Sequence, residues 1–387
     1  MKLTRADLEA AERELCRRSL AEFAKRAWRV LEPAAELKWG WALDAICLHL
    51  EAVTEGRITR LLMNVPPGSM KSLLTGVIWP AWEWGPRGMP EMRFVGTAHE
   101  ETLAIRDSRR CRDLIKSEWY QSLWPVKLAS DLDGKREFGN DKKGIRQARA
   151  FTSMTGVRGD RIILDDPISA DNANSAAKLE AARIAFTETL PTRVNSDKSA
   201  IVVIMQRLNE ADVSGVILSM GLPYVHLCIP MRFEPERRCV TAIGWSDPRT
   251  EEGELMFPER FGEIQVSELE RTLGSGDQHQ HALGARQIDA FEQRAGHGLL
   301  GGNARAVGAA GHGGAHHGLA GLAHHGAHVF KVNVDVAVLV DDFGNAAHGV
   351  FQHVVGVCEG LVLRHVIAQH IEQFVVEHHD QRIDVGF

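Results

Sequence analysis

The 387-residue sequence contains no run of 18 apolar residues and no apolar leader core near its start, so neither a membrane span nor export through a signal peptide is expected. Its six cysteines, Cys16, Cys47, Cys111, Cys228, Cys239 and Cys358, form no Cys-x-x-Cys pair. That scatter argues against a structural zinc and for a reduced, cytoplasmic chain. Positive charge is not in surplus either. A net charge of −6 removes any global field for nucleic acid, so a DNA contact would need a local patch. The sharpest absence is regional: residues 276–387 lack Ser, Thr, Pro, Tyr, Trp and Met entirely, yet hold 15 of the 18 histidines, while all nine tryptophans come earlier. Two kinds of sequence are therefore joined near residue 275. The second reads as a translation of another frame or strand and is expected to be poorly ordered or of uncertain fold. Its histidine tract, Gly311 to His328, is so rich in glycine that nothing would fix a ligand geometry, and no metal site is expected there.

What is present centres on Leu61-Leu-Met-Asn-Val-Pro-Pro-Gly-Ser-Met-Lys-Ser72. An apolar run enters a Pro/Gly turn, and Lys71 and Ser72 then open an apolar segment long enough for a helix. In a strand, loop and helix of this kind the loop amides and helix start converge on one point and favour a phosphate. Pro67, Gly68, Ser69 and Met70 would line that loop, Lys71 would reach the phosphate oxygens, and Ser72 would bind Mg²⁺. Val65 and Met70 stand where the usual pattern G-x-x-x-x-G-K-[ST] has glycine. Taken alone, the stretch also describes an ordinary turn with a surface lysine.

A second motif bears on that choice. Arg161-Ile-Ile-Leu-Asp-Asp-Pro167 reads as a buried strand ending in two adjacent carboxylates, the way acids reach the carboxyl edge of a parallel sheet. Successive strand residues point to opposite faces, so Asp165 and Asp166 are expected to differ in role, one near Mg²⁺ and the other near an attacking water. The strand Ser199 to Met205 ends in Gln206 and Arg207, polar groups able to sense a γ-phosphate. Before all this, residues 4–31 have the apolar spacing of amphipathic helices and Trp39 to Leu50 of another; Met92 to Thr97 reads as a strand and Glu100 to Trp119 as an arginine-bearing helix. Residues 126–160 look loop-rich and are the most basic part of the chain, a place for a DNA backbone or an exposed hairpin. Alternating strands and helices through residues 58–220 predict an α/β fold with a mainly parallel sheet between helices.

With Trp79-Pro-Ala-Trp-Glu-Trp-Gly85, Ile204-Met-Gln-Arg207, Gly244-Trp-Ser-Asp-Pro-Arg-Thr250 and Gly253-Glu-Leu-Met-Phe-Pro-Glu-Arg260 added in this order, the chain resembles the large subunit of the terminases of tailed bacteriophages and prophages. The likeness runs from about Phe23 to Gly274. It implies a RecA-like P-loop ATPase, using ATP and Mg²⁺, that drives double-stranded DNA into an empty shell. Portal protein, a small terminase subunit, further copies of the chain and a bacterial cytoplasm are implied with it. Carried over by position, Lys71 and Ser72 would bind triphosphate and Mg²⁺, Asp165 the Mg²⁺ shell and Asp166 the water; Gln206 and Arg207 would couple hydrolysis to movement. Arg158 and Arg193 are candidates for stabilising the transferred phosphoryl group. The boundaries expected are a helical segment 1–45, an ATPase domain 46–221, a connector 222–275 and the tail 276–387. Family members carry a carboxylate-rich nuclease after the ATPase, whereas here only Val332 to Asp342 looks at all like an acid-bearing strand. An inert nucleotide-binding remnant and a helicase-type translocase are the alternatives.

Overall fold

Capping starts the chain. Thr4 accepts from the Asp7 amide while the Asp7 carboxylate accepts from the Thr4 amide, and this reciprocal cap opens α1 (Arg5–Arg18). Ser19 ends α1 and caps α2 (Leu20–Leu31) through the Glu22 amide. A computed structural model describes residues 4–271. In it Cys16, Leu20, Phe23 and Ala27 are fully buried, packed into one apolar cluster with α3 (Trp41–Thr54). The Trp82 indole seals the joint by donating to the Cys16 carbonyl at 2.6 Å. The expectations placed on the tail, its histidine tract and Val332 to Asp342 lie outside the described residues.

The sheet has eight strands: β1 (Arg60–Asn64), β2 (Arg93–Ala98), β3 (Leu128–Asp133), β4 (Glu137–Asn140), β5 (Ile145–Ala150), β6 (Arg161–Asp165), β7 (Ala200–Met205) and β8 (Val225–Cys228). Their order is β3-β4-β5-β2-β6-β7-β1-β8. From β5 to β8 every pairing is parallel, and β3 and β4 add an antiparallel edge. Side-chain alternation feeds both faces. Leu61, Met63, Ile163, Val202 and Ile204 enter one core; Leu62, Ile162, Leu164, Ile201 and Val203 enter the other. The first is covered by α2, α3 and the helix after β1, the second by α8 (Ala176–Ile184) and α9 (Val213–Ser219). The remaining helices, α6 (Glu101–Lys116) and α7 (Glu118–Leu123), follow β2. One apolar cluster runs from Cys16 to Phe257, so the N-terminal helices and the connector share the core of the sheet.

The helix after β1 runs as α4 (Lys71–Leu73), a π turn over Leu74–Ile78 and α5 (Trp79–Trp84). Pro80 accounts for the wide turn: it has no amide hydrogen, and its ring collides with the carbonyl four residues back. That carbonyl, on Gly76, is taken instead by the guanidinium of Arg146 at 2.8 Å. Arg146 is 1% exposed and crosses β2 at Gly96, where a Cβ would stand 2.1 Å from its Nη1. The most basic stretch of the sequence thus becomes the β3-β4-β5 edge, with one of its arginines spent inside the core. Strand β8 has little sequence signal, being only four residues, Val225-His-Leu-Cys228, interrupted by a histidine.

Candidate functional site

Register brings the motifs together. Asn64 lies opposite Met205 and Ile204 opposite Asp165, so the carboxyl ends of β1, β7 and β6 form one rim with β7 in the middle. The loop from β1 passes Pro66, Pro67 and Gly68 to Met70, which has φ 55° and ψ 12°. That left-handed conformation is the one glycine takes freely, and it costs another residue about 1–2 kcal/mol. Met70 therefore has the backbone geometry that glycine adopts most readily, at the position where the usual phosphate-loop pattern has one. Gly68 is also left-handed, at φ +77°. The amides of Gly68, Ser69 and Met70 donate to no other atom among the described residues, while the Ser69 hydroxyl closes the turn on the Pro66 carbonyl at 2.7 Å.

Lys71 is buried and donates to Asp166 Oδ1 at 2.6 Å. Asp166 is itself left-handed, at φ 40°, which aspartate tolerates better than most residues. Its amide donates to Ile204, its carbonyl accepts from the His99 amide at 3.2 Å, and its Oδ1 accepts from the Gln206 amide at 3.2 Å. Lys71, Asp166 and Gln206, distant in sequence, thus meet at one carboxylate. Beside them burial, and then the charge of Asp166, push the Asp165 carboxyl up to about 7; the Ser72 hydroxyl and the Lys71 ammonium pull the other way. Asp165 Oδ1 is sealed from solvent and has no hydrogen-bond donor.

That orphaned oxygen, next to the Ser72 hydroxyl, fits a hard cation that takes few protein ligands and completes its shell with phosphate and water. Uncommitted loop amides beside a lysine fit a phosphate. No group of three or more His, Cys, Asp or Glu side chains able to hold a metal occurs among the described residues.

Within this chain, three of the expected arginines lie away from the loop. Arg158 and Arg193 sit before β6 and β7, where their backbones meet through Gly159, and Arg158 donates to the Thr192 carbonyl at 3.2 Å. The length of β6, about 13 Å, separates them from the acidic end, so neither reaches the site within its own chain. Arg207 turns away from the loop: its Nε donates to the buried Asp212 at 3.1 Å and its Nη2 to the Asn209 carbonyl at 3.3 Å. An arginine that does feel the Asp165 charge is Arg106 on α6, though its pairing with Asp107 at 2.9 Å weighs more on it. Nothing in its spacing distinguishes Arg106 from its neighbours on that helix.

Other groups at the rim were not apparent in the sequence. Asn64 donates to the Met205 carbonyl and to Ser214 Oγ, and its Oδ1 accepts from His226 at 2.8 Å. Burial, with the Arg207 charge second, pushes His226 down to about 4, so it is a neutral donor here. Asp212 caps α9 through the Gly215 amide and holds the Leu208 and Asn209 amides. The Asn-Glu-Ala-Asp run before a short apolar helix was a readable cap signal; His226 had none, because its strand had little.

The connector motif around Arg249 turns out to be packing. Arg249, 1% exposed, is bound by Asp247 at 2.7 and 3.0 Å, by the Pro230 and Glu254 carbonyls, and lies between the rings of Trp41 and Phe233.

No protein-family model matches this chain, and no curated protein matches it. Among solved structures, the crystal structure of the HK97 bacteriophage large terminase aligns with a TM-score of 0.40 and 12% sequence identity, covering 57% of this chain and 44% of that one. The chain thus spans less than half the length of that protein. No helix among the described residues is long and apolar enough to cross a membrane.

Proposed function

We propose that this chain is a Mg²⁺-dependent ATPase of the large-terminase type, its RecA-like sheet presenting Lys71, Ser72, Asp165 and Asp166 to ATP. The observation that carries the reading is the contact between Lys71 and Asp166, 2.6 Å apart across two strands and a loop. An amine buried against a carboxylate beside uncommitted amides is the resting arrangement of a site that exchanges the carboxylate for a phosphate. Lys71 then holds the triphosphate, Ser72 and Asp165 hold the metal, and Asp166, released by Lys71, orients water and accepts its proton. Bound Mg²⁺ would draw charge from the β- and γ-phosphate oxygens. The Gln206 amide, already on Asp166, links that event to β7, and Arg106, which feels the Asp165 charge, is a source of added positive charge.

The wider role follows from the ordered motifs: a motor subunit that moves double-stranded DNA, working as several copies with a portal protein and a small DNA-recognising subunit in a bacterial cytoplasm. ATP hydrolysis by the full chain, with and without double-stranded DNA, tests both levels. Hydrolysis should need Mg²⁺, rise with DNA, and fall at least about 100-fold in Lys71→Ala and Asp165→Asn. An unchanged rate in Lys71→Ala removes the site. Nucleotide binding without DNA-stimulated turnover leaves an inert remnant, and strand separation would point to a helicase.

A further inference from the structure

We infer that Phe261 is a positioning residue for the phosphate loop, an aromatic strap through which the helical residues 263–271 and the occupancy of the loop are linked. The linkage rests on the nucleotide site proposed above; the strap itself rests on packing alone. Pro67 and Gly68 are exposed except on one flank. There the Phe261 ring sits so close that a Cβ on Gly68 would stand 2.6 Å from its Cζ, and the three nearest side-chain atoms all belong to that ring. Gly68 is therefore required twice, by its φ of +77° and by the ring beside it.

The ring is held from behind. The Phe261 amide donates to the Phe257 carbonyl at 2.8 Å, and the Arg260 guanidinium lies 5.2 Å from the ring centroid. Phe257 is fully buried and packs on Gly40 at the head of α3, where a Cβ would meet it at 2.9 Å. Upstream, the Arg249 clamp ties the connector to Trp41. Downstream, Arg232 pairs with Glu263 and Glu270, both at 2.7 Å, across the helical residues that follow. Phe261 thus stands two residues before a helix anchored on Arg232, so a shift of that helix would carry the ring with it.

Energy explains why a strap is needed here. With Gly68 and Met70 both left-handed and three amides uncommitted, the loop has little internal bonding to hold its shape. A ring on its flank removes conformations that do not form the cup, and such preorganisation appears as affinity rather than as a new contact to ligand. Since Phe261 belongs to the connector, a phosphate that tightens the cup also tightens its hold on residues 263–271.

Amide hydrogen exchange and calorimetric titration with a non-hydrolysable ATP analogue and Mg²⁺, on the full chain, test this. In Phe261→Ala, exchange in residues 65–72 without nucleotide should rise at least about threefold, and affinity should fall about tenfold, with Phe261→Leu recovering most of both. Gly68→Ala supplies the reciprocal variant: the added methyl should displace the ring and speed exchange in residues 257–271. In the wild-type chain the analogue should slow exchange in residues 263–271, and in Phe261→Ala it should not. Loop exchange and affinity both within about twofold of wild type in Phe261→Ala would overturn the inference. Faster loop exchange in that variant, with no analogue bound by wild type, would sustain the strap and overturn the nucleotide reading and the linkage with it.

Discussion

Replacing Arg161 by methionine should destabilise the fold steeply, and more so as pH rises. The helix after β1 is keyed to β6 by one buried ion pair, Arg161 Nε to Glu83 Oε1 at 3.1 Å, with side chains 5% and 0% exposed. Glu83 Oε1 also accepts from Thr54 at 2.7 Å, while Oε2 is buried without a donor. Burial pushes the Glu83 carboxyl up, and the positive charge of Arg161 opposes that push more than any other neighbour does. Methionine removes that charge and leaves a carboxyl with one hydroxyl, a change of about 3–5 kcal/mol for a broken buried pair. The sign with pH follows from the raised folded-state value. Above the ordinary glutamate range the unfolded chain has released this proton, while burial favours keeping it in the folded chain and does so more once the Arg161 charge is gone, so the variant loses more stability with rising pH than the wild type does. Urea denaturation followed by tryptophan fluorescence should therefore show a smaller deficit near pH 5.5 than near pH 7.5. Adding Glu83→Gln should recover most of the loss at the higher pH. A deficit under about 1 kcal/mol, or one that ignores pH, would refute the idea that this pair sets the seating of β6 against the helix after β1.

Three further outcomes follow. Burial pushes Glu51 up to about 7 despite the Leu20 amide it binds at 2.5 Å. The wild-type chain thus loses stability as pH rises from the ordinary glutamate range through 7, and Glu51→Gln should be more stable by about 1–3 kcal/mol at pH 8 and level with it near pH 5 in urea titrations. Steady-state ATP hydrolysis should lose at least about tenfold in kcat for Arg106→Ala and stay within about twofold for Arg158→Ala, since only the first is on the acidic side of the sheet. Gly96→Ala should lose about 3 kcal/mol or more by thermal unfolding, because its methyl would occupy the path of the buried Arg146 guanidinium.

Strands β1, β6 and β7 were legible because fully buried parallel strands are short apolar runs with punctuation at both ends, and Asn64-Val-Pro-Pro, Asp165-Asp-Pro and Gln206-Arg supplied it. Strand β8 was not, since its four residues take their burial from β1 and not from their own pattern. Basic residues were counted correctly and placed poorly. Charge along a chain says nothing of which arginine enters the core, as Arg146 does, or which end of a strand it precedes, as Arg158 does.

The order of the motifs, the alternation of strand and helix and the placing of Lys71, Ser72, Asp165 and Asp166 at the ends of strands were all determined by local sequence, because apolar runs and turn residues act over a few positions. Which side chains face one another was decided only by tertiary structure. The pairing of Lys71 with Asp166, the orphaned oxygen of Asp165, the turning of Arg207 to Asp212 and the ring of Phe261 against Gly68 each join residues that strand order and register bring together. Register is a property of the whole sheet, fixed by packing on both faces at once, and no single stretch of the chain contains it.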